Sequence, residues 1–297
     1  MQVADYHNAS TPCVGDNGNS DDIKGLIKFL RGEDYFVYSG DCKNKSNGFI
    51  RESILGDIYH SQLIEVGKPD GSLQFSDINQ EAYFRSINNY QSFKDSQKNR
   101  ENILYAGSNS GMLHAICAGT QVTDSCPKGA GSEMWGFIPP FVATNLPQII
   151  NKDYDKAGKS GGTNPIFGVD GSPVVHDAFI KGYKISGNDV VEDPVKKWRT
   201  ILFVPYGRGG AGFSVLDVTI PKVTAGADGE VGTGPLHMFS IYNDSYNKEV
   251  IRIDHKGKII RLPYQRATIA LEESNEGLHA ADIYSQADTL DLALPQV

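Results

Sequence analysis

The chain has 297 residues, 39% of them apolar, and carries a net charge of −8 with 32 glycines and 14 tyrosines. That length suffices for a sizeable core in one large domain or two ordinary ones. An acidic balance without a basic cluster repels a phosphate backbone, which excludes nucleic acid as a partner class. No apolar run approaches the roughly 18 residues that span a bilayer, and Met1–His7 shows neither a basic nor an apolar leader segment.

Met1–Ser20 is polar and reads as loop. Ser20 or Asp21 caps a predicted helix over Asp22–Arg31, where Ile23, Leu26, Ile27 and Leu30 share one face and Gly32 supplies the stop. Tyr35–Gly48 reads as loop, and Leu55–Val66 opens the β-region. Tyr83, Phe84, Ile87, Tyr90 and Phe93 fall near helical spacing, so a helix is expected over Tyr83–Lys94. Ile103–Ala106 and Met112–Ile116 flank Gly-Ser-Asn-Ser-Gly, the pattern of a tight β-hairpin. Glu133–Ile138 is a Trp-bearing strand halted by Pro139-Pro140, and Phe141–Pro147 is a short helical or extended connection. Lead-in strand, hairpin and aromatic strand make one blade-like unit, which needs neighbours to bury its faces.

The same order recurs downstream. Val169–His176 echoes Gly56–Leu63, Thr200–Val218 echoes the hairpin, and Leu236–Ile241 echoes the Trp135 strand. Val250–Leu262 alternates around Lys256-Gly257 and is a candidate opening of a third unit. Residues 1–54 are therefore read as a loop-and-helix lead-in, 55–266 as blades with long insertions, and 267–297 as an irregular or helical tail.

Four cysteines form two local brackets, Cys13 with Cys42 and Cys117 with Cys126. An even count, each pair enclosing one loop, predicts two disulfides and an oxidising location; no Cys-x-x-Cys or Cys/His pair has zinc-ligand spacing. His60, His114 and His176 fall on or beside strands without metal-ligand spacing and read as half-buried strand residues. Asn109 stands where a nucleophile elbow needs Ser. Gly207–Gly212 joins two strands and lacks the following helix that would hold a phosphate. No enzyme signature is complete.

Six blocks carry a family likeness: Leu26–Gly32, Leu55–Ser61, Tyr105–Ala115, Trp135–Pro140, Val169–Val174 and Trp198–Thr219. In that order, over residues 22–220, the chain resembles the C-terminal β-propeller of the PilC/PilY-type adhesins at the tips of type IV pili. The resemblance implies an all-β fold of propeller blades, incomplete or fragmentary here, with a short N-terminal helix and a helical insertion. Closing a propeller takes about four blades or more, and this chain supplies two or three, without the family's von Willebrand-like domain or secretion signal. A fragment of a longer protein is the expectation.

The resemblance also implies a non-enzymatic adhesin and assembly factor, extracellular at the pilus tip and associated with the Gram-negative outer membrane. Its implied partners are minor pilins or other tip proteins and a host or abiotic surface. The contact loops expected are Cys117–Cys126, Tyr154–Asn164, Gly182–Lys197 and Gly226–Gly234. Relatives bind calcium through EF-hand-like loops. Asn17, Asn19 and Asp21, and again Asn151, Asp153 and Asp155, have the 1-3-5 spacing, but neither set has an acid at position 12, which favours solvated turns. Arg31-Gly32-Glu33 falls where some relatives carry Arg-Gly-Asp and reads as a capped helix end. The Tyr105–Ala115 block with Trp135 also resembles quinoprotein dehydrogenase blades that hold pyrroloquinoline quinone, the alternative reading.

Overall fold

A computed structural model describes residues 26–27, 29–32, 55–76, 79–119, 126, 128–149, 166–187, 189–223 and 234–264. They form two antiparallel sheets. The first has the order β1-β2-β3-β4, from Ile64–Val66, Ile103–Gly107, Leu113–Cys117 and Glu133–Phe137. The second has the order β10-β9-β8-β7-β6-β5, from Val174–Ser186 (β5), Asp189–Pro205 (β6), Gly212–Asp217 (β7), Leu236–Asp244 (β8), Glu249–Asp254 (β9) and Ile259–Pro263 (β10).

The hairpin pairs Ile103 with Cys117 and Gly107 with Leu113, as its alternation predicts. Its lead-in strand is much shorter than expected: only Ile64–Val66 pairs, with Tyr105 to Ile103, while residues 55–63 run as unpaired chain. The candidate third unit does not open. Strand β9 pairs with β8 and β10 with β9, so Val250–Leu262 extends the second sheet instead. Alternation specifies a hairpin but not which sheet edge receives it.

One core holds the sheets together. Ile103, Tyr105, Leu113 and Ala115 of the first sheet meet Leu202, Val204 and Leu216 of the second, all essentially inaccessible to solvent. Each buried isoleucine, leucine or valine side chain contributes about 1.5–3 kcal/mol. Aromatic contacts continue the join: the ring of Phe137 stacks on His237 at 5.7 Å, and Phe141 stacks on Tyr242 at 5.1 Å. Phe141 belongs to a short helix, Pro140–Ala143, that follows the Pro-Pro stop.

The helical insertion exists but is broken. Helix α1 (Gln80–Ile87) starts at Asn79, whose side chain accepts from the Ala82 amide at 3.1 Å. Helix α2 (Tyr90–Ser96) follows Asn89, which sits in the left-handed region at φ 56° and turns the axis. The apolar stripe therefore divides. Tyr90 and Phe93 are buried against Trp198, whereas Tyr83 and Ile87 face solvent. Near the N-terminus residues 26–27 and 29–30 are helical, and Gly32 ends that turn at φ 105°.

Of the segment Gly182–Lys197, expected as a loop, residues 182–186 and 189–197 are strand. It forms the far end of a long β5–β6 ribbon, with a register shift between Ile180 and Gly182. Such an irregularity raises the local twist, and the ribbon curls over its own sheet. Tyr183 stacks on His255 at 4.0 Å and Asp189 Oδ2 meets Lys256 Nζ at 2.8 Å, across the sheet from β5. Beneath it lie Ile201, Val215, Met238 and Phe239.

A buried ion network pins the ribbon. Arg199 donates through Nη1 to Asp217 Oδ2 at 2.7 Å and through Nη2 to Asp193 Oδ2 at 2.9 Å. Its Nη1 also donates to the Tyr183 carbonyl at 3.0 Å. Removing the guanidinium leaves Asp193 with Lys197 Nζ, 2.9 Å away, and strips Asp217 of its buried cation. Arg199→Ala is expected to cost about 3–5 kcal/mol of unfolding free energy, read from urea denaturation; a change within about 0.5 kcal/mol refutes the assignment.

Candidate functional site

The two units meet at a seam made mostly of backbone. The chain at residues 166–173 threads between the hairpin turn 107–112 and the Gly-rich turn 206–212. The Val169 amide donates to the Ser108 carbonyl at 3.0 Å, and the next amide, Asp170, donates to the Tyr206 carbonyl at 3.1 Å. The unpaired lead-in chain joins from the other side. Asn109 N donates to the Asp57 carbonyl at 2.8 Å, and Gly107 N donates to Ser61 Oγ at 2.9 Å. The approach leaves no room for a side chain at Gly209, where an added Cβ would sit 1.7 Å from the Gly168 carbonyl oxygen.

Polar side chains gather where this backbone surfaces. His60 Nδ1–H donates to Asp170 Oδ2 at 2.8 Å across 110 residues of sequence. Ser172 Oγ accepts from the Gln62 amide at 3.1 Å and donates to the His60 carbonyl at 3.3 Å. His60, Asp170, Gly171, Ser172, Gly207 and Arg208 line a shallow cleft of about 440 Å³. Asp170 is 2% exposed, and its Oδ1 is buried without a hydrogen-bond partner. The Arg208 guanidinium lies over the Phe167 ring at 5.3 Å.

The other two histidines have different surroundings. His114 is buried, not half-buried as expected: Ser108 Oγ lies 2.9 Å from its Nε2, and its Nδ1–H donates to Glu133 Oε1 at 2.6 Å. Serine, imidazole and acid stand in the order of a hydrolase triad. Ser108, however, is 1% exposed and hydrogen-bonded into its own turn, to the Met112 carbonyl at 3.2 Å and to Ser110 Oγ at 2.5 Å. The relay locks the hairpin turn. His176 is exposed and lies 3.8 Å from Glu81.

Cys117 and Cys126 form the expected disulfide, with Cα atoms 5.9 Å apart. Cys13, Cys42, Asn17, Asn19, Asp21, Asn151, Asp153 and Asp155 lie outside the described residues, as do Tyr154–Asn164 and all but the end of Gly226–Gly234. Sequence reasoning passed over Asp170 and Arg208 as site residues. Asp170 sits inside the quoted Val169–Val174 block, but nothing in that block shows its pairing with His60.

Seam electrostatics predict acid lability. The hydrogen bond from His114 holds the Glu133 carboxyl below its ordinary range. Burial against Phe137 pushes the His237 imidazole down to about 4, with nearby Asp254 partly opposing the shift. A histidine kept neutral in the fold but free to protonate when unfolded stabilises the fold above pH ~6.5 and loses that contribution toward pH ~4, about 3 kcal/mol in all. Glu133 adds a further loss below pH ~4.5, as acid reaches its lowered folded value. Unfolding free energy measured against pH should fall through the first window, and His237→Gln should flatten that part of the curve alone.

The profile of the PilY1 beta-propeller domain matches residues 55–231, the stretch that builds the seam. The type IV pilus biogenesis factor PilY1 of Pseudomonas aeruginosa strain PAK is 33% identical over 208 residues, 69% of this chain and 14% of that protein. The PilY1 homolog of Xylella fastidiosa strain Temecula1 is 31% identical over 196 residues, 66% of this chain and 13% of that protein. The chain thus spans about one-seventh of the length of these relatives. The crystal structure of the P. aeruginosa PilY1 C-terminal domain is 23% identical and superposes with a TM-score of 0.31, covering 68% of this chain and 37% of that one. On the profile match and the sequence identities, the chain belongs to the PilY1 β-propeller family.

Proposed function

We propose that this chain is propeller sequence of a non-enzymatic adhesin and assembly factor of type IV pili, acting outside the cell at the pilus tip. The observation that carries the reading is the family match over residues 55–231, because those residues include every strand of the first sheet and the seam. In this role the blades hold loops in fixed positions, and loops tolerate the variation that surface recognition needs. The stretch bracketed by the Cys117–Cys126 disulfide is a proposed contact segment, and the disulfide accords with an oxidising location. Minor pilins or other tip proteins and a host or abiotic surface are the proposed partners. Among the described residues no helix is long and apolar enough to cross a membrane.

Two further features support this reading over a quinone-dependent dehydrogenase. Both tryptophans are engaged in packing: Trp135 Nε1 donates to the Pro221 carbonyl at 2.9 Å and Trp198 Nε1 to the Asn88 carbonyl at 2.8 Å. The serine and imidazole of the Ser108-His114-Glu133 constellation are sealed in a turn. The second sheet also leaves an apolar groove between Val174, Phe203, Phe213, Ile241 and Val250. We assign it to a further blade of the same protein, since the chain spans only about one-seventh of its relatives' length.

The test is genetic. In the Gram-negative strain that encodes the chain, deleting its gene should reduce the number of surface pili. Complementation with a copy whose 118–125 loop is replaced by a Gly-Ser stretch of equal length should restore pili but not attachment to cells or glass. Unchanged pilus numbers after deletion refute the assembly role. Full attachment by the loop-exchanged strain refutes that loop as a contact. Dye-linked dehydrogenase activity after quinone reconstitution refutes the non-enzymatic reading.

A further inference from the structure

We propose that the outer edge of β10 is completed by the chain's own acidic C-terminal stretch, Thr289–Leu294, added as a further antiparallel strand. The inference goes beyond the pilus-tip reading and does not rest on it, because it concerns how one sheet edge is closed.

Strand β10 presents an open ladder. Asp254 N donates to the Lys258 carbonyl at 3.1 Å, and Tyr264 N donates to the Lys248 carbonyl at 2.8 Å. Residues 258, 260, 262 and 264 therefore turn their backbone polar groups toward β9, and alternation turns those of Ile259, Arg261 and Pro263 outward. β10 is the last strand in its sheet, and among the described residues no strand pairs with its outer side. Pro263 has no N–H to offer and marks one end of the usable edge. An unpaired row of this kind is a template for one more strand.

Charge selects which strand. Residues 248–264 carry five cations (Lys248, Arg252, Lys256, Lys258 and Arg261) against two acids, Glu249 and Asp254, on a chain of net charge −8. Two such edges repel each other, which disfavours a second copy as the occupant. Residues 267–297 hold six acids and no lysine or arginine. Within them Leu290, Leu292 and Leu294 alternate with Thr289, Asp291 and Ala293, and Pro295 follows as a stop. That period belongs to a strand, against the irregular or helical reading of the tail.

The two patterns fit in one register. Asp291 opposite Arg261 gives the exposed guanidinium a second carboxylate, on the face where its partner Glu249 stands. The same register sets Leu290 opposite Leu262 and Leu292 opposite Ile260, on the face that carries Val250. The leucines then prolong the apolar face of the sheet without filling its groove. The 24 residues between Tyr264 and Thr289 are enough for the return, and a link of that length costs little more to close than a shorter one.

The test is amide hydrogen exchange of the full chain, read on peptides covering residues 258–264 and 288–294. Both should exchange at least about tenfold more slowly than in Asp291→Pro, which removes the N–H facing β10. Asp291→Lys should lose the protection of both peptides, and adding Arg261→Glu to it should bring that protection back. If the paired substitution upsets β10, the two single changes at Asp291 decide, since they leave the sequence of β10 intact. Exchange of 288–294 at the rate of unstructured chain, or unchanged protection of 258–264 in Asp291→Pro, overturns the proposal. So does protection that is lost on dilution together with a dimeric mass in sedimentation, which would put the strand of a second copy at this edge.

Discussion

The close approach of backbone to backbone at the seam is the constraint on which the rest of the structure depends. Successive amides of Val169 and Asp170 are donated in opposite directions, one to each unit's turn. A chain used this way has no slack, because moving it to favour one turn breaks the bond to the other. Side chains are excluded by distance: even a methyl group at Gly209 would enter the Gly168 carbonyl. The apolar core below, with Tyr105, Leu202 and Val204 fully buried, supplies the bulk of the stabilisation. The seam decides the one orientation in which that core can form.

Charged and polar groups placed around this frame act on orientation more than on net stability. Arg199 with Asp193 and Asp217 occupies desolvated space that apolar side chains would fill at no greater cost. Its effect is to fix how far the β5–β6 ribbon curls. A second network works the same way for the helical insertion. Tyr90 donates to Asp177 Oδ2, while Thr200 donates to Asp177 Oδ1 at 2.6 Å and Arg100 donates to Thr200 Oγ1 at 2.6 Å. Four residues from α2, the chain before β2 and strands β5 and β6 meet at one point. Burial and the adjoining carboxylate push the Tyr90 phenol well above its ordinary range, so it remains a donor at any physiological pH.

Local features of this architecture were legible and long-range pairings were not. The hairpin at 103–117 could be read because alternation and a Gly-Ser-Asn-Ser-Gly turn specify it within fifteen residues. The helix break was hidden: nothing but geometry shows that Asn89 takes φ 56° while Asn88 does not. The β5–β6 ribbon looked like loop because Lys184, Ser186, Glu192, Lys196 and Lys197 make it polar, and a two-stranded ribbon with a solvated face needs few apolar residues. For the cleft, the blocks containing His60 and Asp170 stood out separately. Their contact spans 110 residues and depends on the seam being closed, which no local pattern encodes.

The two histidine–acid pairs show why geometry alone does not make a site. His114 and Glu133 are 2.6 Å apart and join a serine, yet the serine hydroxyl is spent inside its own turn and solvent cannot reach it. His60 and Asp170 are 2.8 Å apart, and the second oxygen of Asp170 is buried without a hydrogen-bond partner, as far from solvent as the serine. The first arrangement has its hydrogen-bonding capacity satisfied within the fold. The second has capacity left over, on the residue whose amide the seam binds to the Tyr206 carbonyl. An acceptor left unsatisfied and out of reach of solvent costs the fold about 1–3 kcal/mol, which the core and the backbone bonds that close the seam around it must offset.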